Sequence, residues 1–123
     1  MALKRALRLR KSREFQRVRQ QGRRVSSRLL TLAWIPNDVA QLRIGFVVSK
    51  RVSKYAVERN RMRRLLSEAV RPFLSGLAPG WDIVFTARDE TLAADLHTLK
   101  QDVPVLLRRA SLLAPLHRQE RDG

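Results

Sequence analysis

Apolar residues at Met62, Leu65, Leu66, Ala69, Val70 and Phe73 recur three and four apart, the spacing of one buried stripe on an amphipathic helix. Stepped at ~100° per residue, Asn60, Arg64 and Arg71 fall opposite that stripe, while Arg61 and Arg63 flank it. Arg59 lies nearer the stripe, close to the helix start. One face therefore anchors the helix in a core and the other is rich in guanidinium groups. Ser53 is a candidate cap, and Pro72 ends or kinks the helix near Arg71. Gly76 and Pro79-Gly80 supply the turn beyond.

A different period governs the flanking segments. Residues 29–35 (Leu-Leu-Thr-Leu-Ala-Trp-Ile) read as a strand, with a turn at Pro36-Asn37-Asp38. Residues 42–49 read as a second strand, and the pair is expected to form an antiparallel hairpin. In the second strand Ile44, Phe46 and Val48 point to the core, and Arg43, Gly45, Val47 and Ser49 point away. A glycine within a strand marks close approach by another backbone or a ligand. Thr31 and Ala33 are expected to continue this low surface on the neighbouring strand. Residues 82–87 form a short buried strand, so strand, arginine helix and strand make a β-α-β unit. Residues 92–113 carry a helical pattern through Leu96, Leu99, Val103, Leu106, Leu107 and Ala110, with a break or kink at Pro104 and Asp102 capping the second piece. Upstream, Ser12 caps a short helix with Glu14 in its first turn. The capping box is incomplete, because the third helical position is then Phe15. Phe15 and Val18 make the apolar contact, Gly22 offers the C-terminal cap, and residues 23–27 add a polar edge strand.

Charge sharpens this picture. The 123 residues suit one domain, and the net charge of +15 points to a polyanionic partner. Residues 1–71 hold 20 of the 26 Lys and Arg against four acids, whereas residues 72–123 hold six bases and seven acids. The first part is therefore expected to bind, and the second mostly to complete the fold. Residues 1–10 form a basic arm, preferred over an organellar transit peptide because the stretch is short, poor in Ser and continuous with more basic sequence. Residues 114–123 are expected to form a disordered tail. Without cysteine there is no disulfide framework and no thiolate zinc site. No apolar run approaches the ~20 residues of a membrane span, so a cytoplasmic protein with no membrane partner is expected.

An RNA-cutting protein needs clustered carboxylates for metal ions or a pair of histidines for acid–base work. The basic part has only Glu14, Asp38, Glu58 and Glu68, scattered along the chain, and the two histidines, His97 and His117, lie in the neutral part. His97 reads as a helix-surface residue. An arginine-rich helix face is ordinarily just solvated. Here acid partners are scarce, and Arg presents a rigid fork suited to phosphate. On residues alone the chain is a nucleic-acid-binding module with no catalytic and no metal-binding residues.

Arg59-Asn60-Arg61 within Glu58-Arg-Asn-Arg-Met-Arg-Arg-Leu, preceded by Val48-Ser49-Lys50-Arg51, resembles the signature of the bacterial ribonuclease P protein subunit. The likeness extends to Glu14-Phe15-Gln16-Arg17-Val18, Gly22, Leu42-Arg43-Ile44-Gly45-Phe46 and Asp82-Ile83-Val84-Phe85-Thr86-Ala87-Arg88, covering roughly residues 7–112. It implies an α/β (α+β) sandwich, a mixed four-stranded sheet packed by the arginine helix and flanked by an N-terminal and a C-terminal helix. It also implies an unusual, left-handed β-α-β crossover, against the general rule. In function it implies an RNA subunit that cleaves precursor tRNA with bound magnesium. The protein would grip that RNA, hold the single-stranded 5′ leader, bind no cofactor itself and need no protein partner. By position, Lys50, Arg51, Lys54, Arg59, Asn60, Arg61, Arg63 and Arg64 would face the catalytic RNA. Phe15, Arg19, Thr31, Ala33, Gly45, Val47 and Ser49 would line the leader cleft. Many relatives carry aromatics where this chain has Arg19 and near Ala33, so its leader binding leans more on charge. Two alternatives stand beside this reading. One is a ribosomal or other structural RNA-binding protein without a role in tRNA processing. The other is a DNA-binding domain, disfavoured because no compact helix-turn-helix pattern flanks the helix.

Overall fold

The structure is a computed structural model that describes residues 7–114. Its elements, in chain order, are α1 (Ser12–Gln21), β1 (Arg23–Ser26), β2 (Leu30–Pro36), β3 (Arg43–Val47), α2 (Ala56–Val70), β4 (Trp81–Ala87) and α3 (Leu96–Arg109), with 3₁₀ turns at Arg71–Gly76 and Asp89–Ala93. The expected tail from Pro115 and the first six residues of the basic arm lie outside the described residues. From residue 7 onward the arm runs beside β3: Arg8 bridges Ile44, and the Leu9 N–H donates to the Ile44 carbonyl at 3.0 Å.

The sheet is mixed and four-stranded, in the order β1-β2-β4-β3. The hairpin expected between residues 29–35 and 42–49 does not form, because β4 lies between them. It pairs antiparallel with β2 and parallel with β3. The physical reason is in β4 itself. Ile83, Val84 and Phe85 are all fully buried, and a continuous apolar run needs a central place where both faces are covered. β3, with Arg43 and Gly45, is better suited to an edge. Since β3 and β4 are parallel, a crossover must join them, and α2 is that crossover. The polar edge strand expected at residues 23–27 is present as β1.

The sheet has two unequal faces. Leu30, Leu32, Trp34, Ile44, Ile83 and Phe85 pack with Met62, Leu66, Ala69 and Val70 of α2 and Leu99, Val103, Leu106 and Leu107 of α3, forming the main core. The other face carries a smaller cluster, Leu9, Val18, Ala33 and Val84, with Phe15, Ile35 and Val47 packed against it. α1 is its only helical cover among the described residues.

Several helix ends differ from the sequence expectation. α1 is capped by Lys11 rather than Ser12, which moves Glu14 to the third position. Its carboxylate accepts from the N–H groups of Lys11 (3.1 Å) and Arg10 (3.3 Å). Gly22 closes the helix as expected, and a Cβ there would strike the Val18 and Trp34 carbonyl oxygens at 2.4 and 2.7 Å. Ser53 does not cap α2. Tyr55 does, with Ser53 Oγ accepting from its N–H. α3 begins at Leu96 with Asp95 as cap, and it runs through Pro104 without a break. A proline inside a helix costs about 3 kcal/mol. Burial of Leu99, Val103, Leu106 and Leu107 on the main core offsets this. Asp102 caps nothing and instead accepts from Ser27 Oγ at 2.6 Å, tying α3 to the β1–β2 connection.

Leu65, on the expected apolar stripe, is only partly buried, whereas Leu66 is fully buried. Leu66→Ala is expected to cost roughly 2–5 kcal/mol in urea unfolding. Leu65→Ala is expected to cost about half as much, because its side chain keeps solvent contact. Equal costs would mean that the helix sits rotated on its core.

Candidate nucleic-acid interface

On the α1 side, strand pairing arranges side chains in three tiers. Ser26, Thr31, Thr86 and Val47 form one row, then Arg24, Ala33, Val84 and Gly45, then Ile35, Asp82 and Arg43. The expected cleft residues divide between tiers. Ala33 and Gly45 are buried beneath α1, while Thr31 and Val47 are half-open and Ser49 is exposed. Phe15 lies directly on Gly45. A Cβ at Gly45 would come within 2.2 Å of the Phe15 ring, so the close approach expected at this glycine is real but is made by an aromatic side chain and not by a backbone or a ligand. Ser26 and Thr31 share a hydroxyl–hydroxyl hydrogen bond of 3.0 Å. Arg19 is exposed on α1, and its carbonyl accepts from the Arg24 guanidinium.

Val84 and Thr86 belong to this face and were not among the expected site residues. They alternate with Ile83 and Phe85, a visible signal, but placing them between Thr31/Ala33 and Gly45/Val47 required the strand order.

The third tier locks α1 down. Asp82 is 1% exposed in its side chain and meets Arg43 in a fork, Nε to Oδ1 and Nη2 to Oδ2, both 2.9 Å. Asn37 Nδ2 donates to Asp82 Oδ1 at 2.8 Å. The third nitrogen of Arg43 reaches Glu14 Oε2 at 3.1 Å, and Arg17 approaches Asp82 at 3.7 Å while donating to the Pro36 carbonyl. The hydrogen bonds from Arg43 to Asp82 hold the guanidinium above its ordinary range, against the opposing effect of burial. Burial pushes the Glu14 carboxyl up. The Lys11 and Arg10 N–H groups and the Arg43 charge outweigh it, so the net shift is downward.

The second basic surface spans the β3–α2 loop and the outer face of α2. Lys50, Arg51, Lys54, Asn60, Arg61 and Arg64 are exposed. Arg59 and Arg63 are half-buried and already engaged. Arg59 Nη1 donates to the Ser53 carbonyl at 2.9 Å, and Arg63 Nη1 to Asn60 Oδ1 at 2.6 Å. The pair between Arg51 and Asp89 is loose, at 3.5 Å between exposed groups. A cleft of about 390 Å³ between residues 8–10, β3 and α2 adjoins both surfaces. Phe15 lines it on one side and Arg63 and Arg64 on the other, with Arg8 and Arg10 at its edge.

The family model described as Ribonuclease P matches residues 3–111. The chain belongs to the ribonuclease P protein family. A ribonuclease P protein component from Chloroflexus aurantiacus is 48% identical over 112 residues, 90% of this chain and 82% of that one. One from Caldanaerobacter subterraneus is 41% identical, covering 85% and 89%. Among solved structures, the Staphylococcus aureus RNase P protein superposes with a TM-score of 0.78 at 25% identity, covering 88% of this chain and 98% of that one. The Thermotoga maritima protein gives 0.73 at 25%, covering 83% and 96%. As a ribonuclease P protein, the chain is a component of an endoribonuclease that processes the 5′ end of tRNA, and its partner is that enzyme's RNA subunit. The ribosomal alternative is thereby set aside. No described helix is long and apolar enough to cross a membrane. His97 is exposed on α3, and His117 lies outside the described residues.

In this ribonuclease P protein the Glu14 contact should be visible in acid. A carboxyl whose folded value is depressed contributes stability above its unfolded value and loses that contribution as pH falls through the folded one. The stability gap between wild type and Glu14→Gln is expected to be widest above the ordinary glutamate value of 4.5 and to close below it. Urea melts at a series of pH values measure this. A gap independent of pH would show that the carboxylate's charge does not matter.

Proposed function

We propose that this protein grips the RNA subunit with the β3–α2 loop and the outer face of α2, and holds the 5′ leader of precursor tRNA across the α1 side of the sheet. Lys50, Arg51, Lys54, Asn60, Arg61 and Arg64 meet RNA directly. Arg59 and Arg63, engaged with Ser53 and Asn60, serve it partly by fixing that surface. Phe15, Arg19, Thr31, Val47 and Ser49 form the open part of the leader cleft, with Thr86 added to its open row, while Ala33 and Gly45 are its buried floor beneath α1. One observation carries this reading. The Phe15 ring is seated on Gly45 at the edge of a half-open, hydroxyl-bearing sheet surface, with a cationic helix around the strand edge. Such a surface offers a base a stacking partner and offers the backbone cations, as single-stranded RNA requires.

In this reading catalysis belongs to the RNA subunit, with magnesium held at the RNA active site. Four carboxylates beside the proposed RNA surfaces are engaged within the protein: Asp82 and Glu14 by Arg43, Glu68 by Arg71, and Glu58 by Ser53. The chain acts as a single RNA-binding domain in the cytoplasm, without a cofactor or an obligate protein partner. RNA-free protein is expected to leave precursor tRNA intact, and adding the RNA subunit with magnesium to restore cleavage at the 5′ end. Cleavage by protein rigorously freed of RNA would overturn this assignment.

Phe15 packs against the small cluster and also faces the cleft. Phe15→Ala is expected to weaken holoenzyme binding of leader-bearing precursor by roughly 1 kcal/mol or more, with mature tRNA nearly unaffected. Equal losses on both substrates, or a large fall in Tm with no leader effect, would make Phe15 a core residue only.

A further inference from the structure

We infer that Tyr55 is an aromatic platform on which an unpaired base of the RNA subunit stacks. The chain has one tyrosine, and 58% of it is exposed at the start of α2. Val57, two residues on, is 77% exposed. Single exposed apolar residues are common and need no explanation. Here the ring stands between Lys50, Arg51 and Lys54 on one side in sequence and Arg59, Asn60 and Arg61 on the other, with Glu58 as the one acid in that stretch. Glu58 is itself bonded to Ser53 Oγ at 2.5 Å. Such a setting attracts a polyanion, repels a basic partner and disfavours a purely apolar one, which would desolvate the charges around the ring.

The backbone beneath the ring is held from both sides. The Tyr55 N–H donates to Ser53 Oγ at 3.2 Å, and its carbonyl accepts the Arg59 N–H at 3.1 Å as the first bond of the helix. Ser53 is buried, and its carbonyl takes the Arg59 guanidinium. The ring therefore projects from a fixed point, which lowers the entropy lost on binding. Lys54 Nζ lies 5.3 Å from the ring centroid, close enough for cation–π attraction. An ammonium can occupy only one face of a ring, so the other remains for a base. Stacking on an aromatic is indifferent to base identity, and it suits the unpaired bases of a folded RNA rather than its helices.

This inference rests on the reading that the β3–α2 loop and α2 meet the RNA subunit, and the test separates the two. Holoenzyme assembly is measured over a salt series for wild type, Tyr55→Ala, Tyr55→Leu, Tyr55→Phe and the double variant Arg61→Ala/Arg64→Ala. Tyr55→Ala and Tyr55→Leu are expected to weaken assembly about 5-fold or more at every salt concentration. Their log–log salt slope should stay that of wild type, because no phosphate contact is lost. Tyr55→Phe should stay within about twofold, since it keeps the π face. The double arginine variant should flatten the slope by about 0.7–0.9 per lost phosphate contact. Wild-type affinity in Tyr55→Ala beside a flattened slope in the arginine variant overturns the platform and leaves the basic surface standing. A wild-type slope in the folded arginine variant overturns the basic surface instead. Full affinity in Tyr55→Leu makes the residue an apolar cover, and an altered slope in Tyr55→Ala makes it a support for Lys54. Either result overturns the stacking role. If Tyr55→Ala loses its melting transition, the comparison of leucine with phenylalanine decides.

Discussion

Everything in this fold hangs on the backbone pairing of β4. Trp81–Ala87 is hydrogen-bonded along both edges, antiparallel to β2 and parallel to β3, and it alone joins those two strands in one sheet. The parallel side brings an obligation. Strands that run in the same direction cannot be joined by a tight turn, so the chain must cross from one end of the sheet to the other. α2 makes that crossing, and its apolar stripe covers the sheet as it does so. The cationic helix is thus part of the architecture before it is part of an interface.

The same pairing makes the two faces of the sheet unequal. Large side chains alternate onto the face covered by α2 and α3, leaving Thr31, Ala33, Val84, Thr86 and Gly45 on the other. A face built from small and hydroxyl-bearing residues cannot support a deep core. One short helix suffices for it, and part of it stays open. What holds that helix is in part polar. A buried carboxylate costs several kcal/mol unless it is paired and hydrogen-bonded. Asp82 meets that condition with the Arg43 fork and Asn37. Arg43 then has one nitrogen left for Glu14, and Arg17 adds a longer contact. The N-terminus of α1, and with it Phe15 above Gly45, is therefore aligned by electrostatics as well as by burial.

Charge is likewise sorted by what each group touches. Two arginines of the α2 region, Arg59 and Arg63, spend their donors on Ser53 and Asn60, while Arg61 and Arg64 face outward. Intramolecular donors of this kind shape a surface, and outward ones are free to meet phosphate in fork geometry. A net charge of +15 describes the attraction to a polyanion, whereas this division says which guanidinium groups are already spent within the fold.

The helix spacing of Met62 to Val70, the alternation in residues 42–49, the end of α2 before Pro72 and the cap at Gly22 were all legible along the chain, because each is set by neighbours within a few residues. The excess of arginine over acid in residues 1–71 was equally legible, and with the Arg59-Asn60-Arg61 stretch it carried the functional class. Strand order was not. Residues 29–35 and 42–49 are close in sequence and read as a hairpin, yet β4, arriving some forty residues later, displaces that pairing with its stronger apolar run. Pro104 misled for a related reason, since local propensity favours a break and burial of one face of α3 overrides it. Single residues followed the same rule. That Phe15 rests on Gly45, that Val84 and Thr86 fall on the α1 side of the sheet, and that Arg43 joins Asp82 to Glu14 all depend on contacts between distant segments. Periodicity and charge are properties of a segment alone, whereas register and close packing exist only once segments compete for the same neighbours.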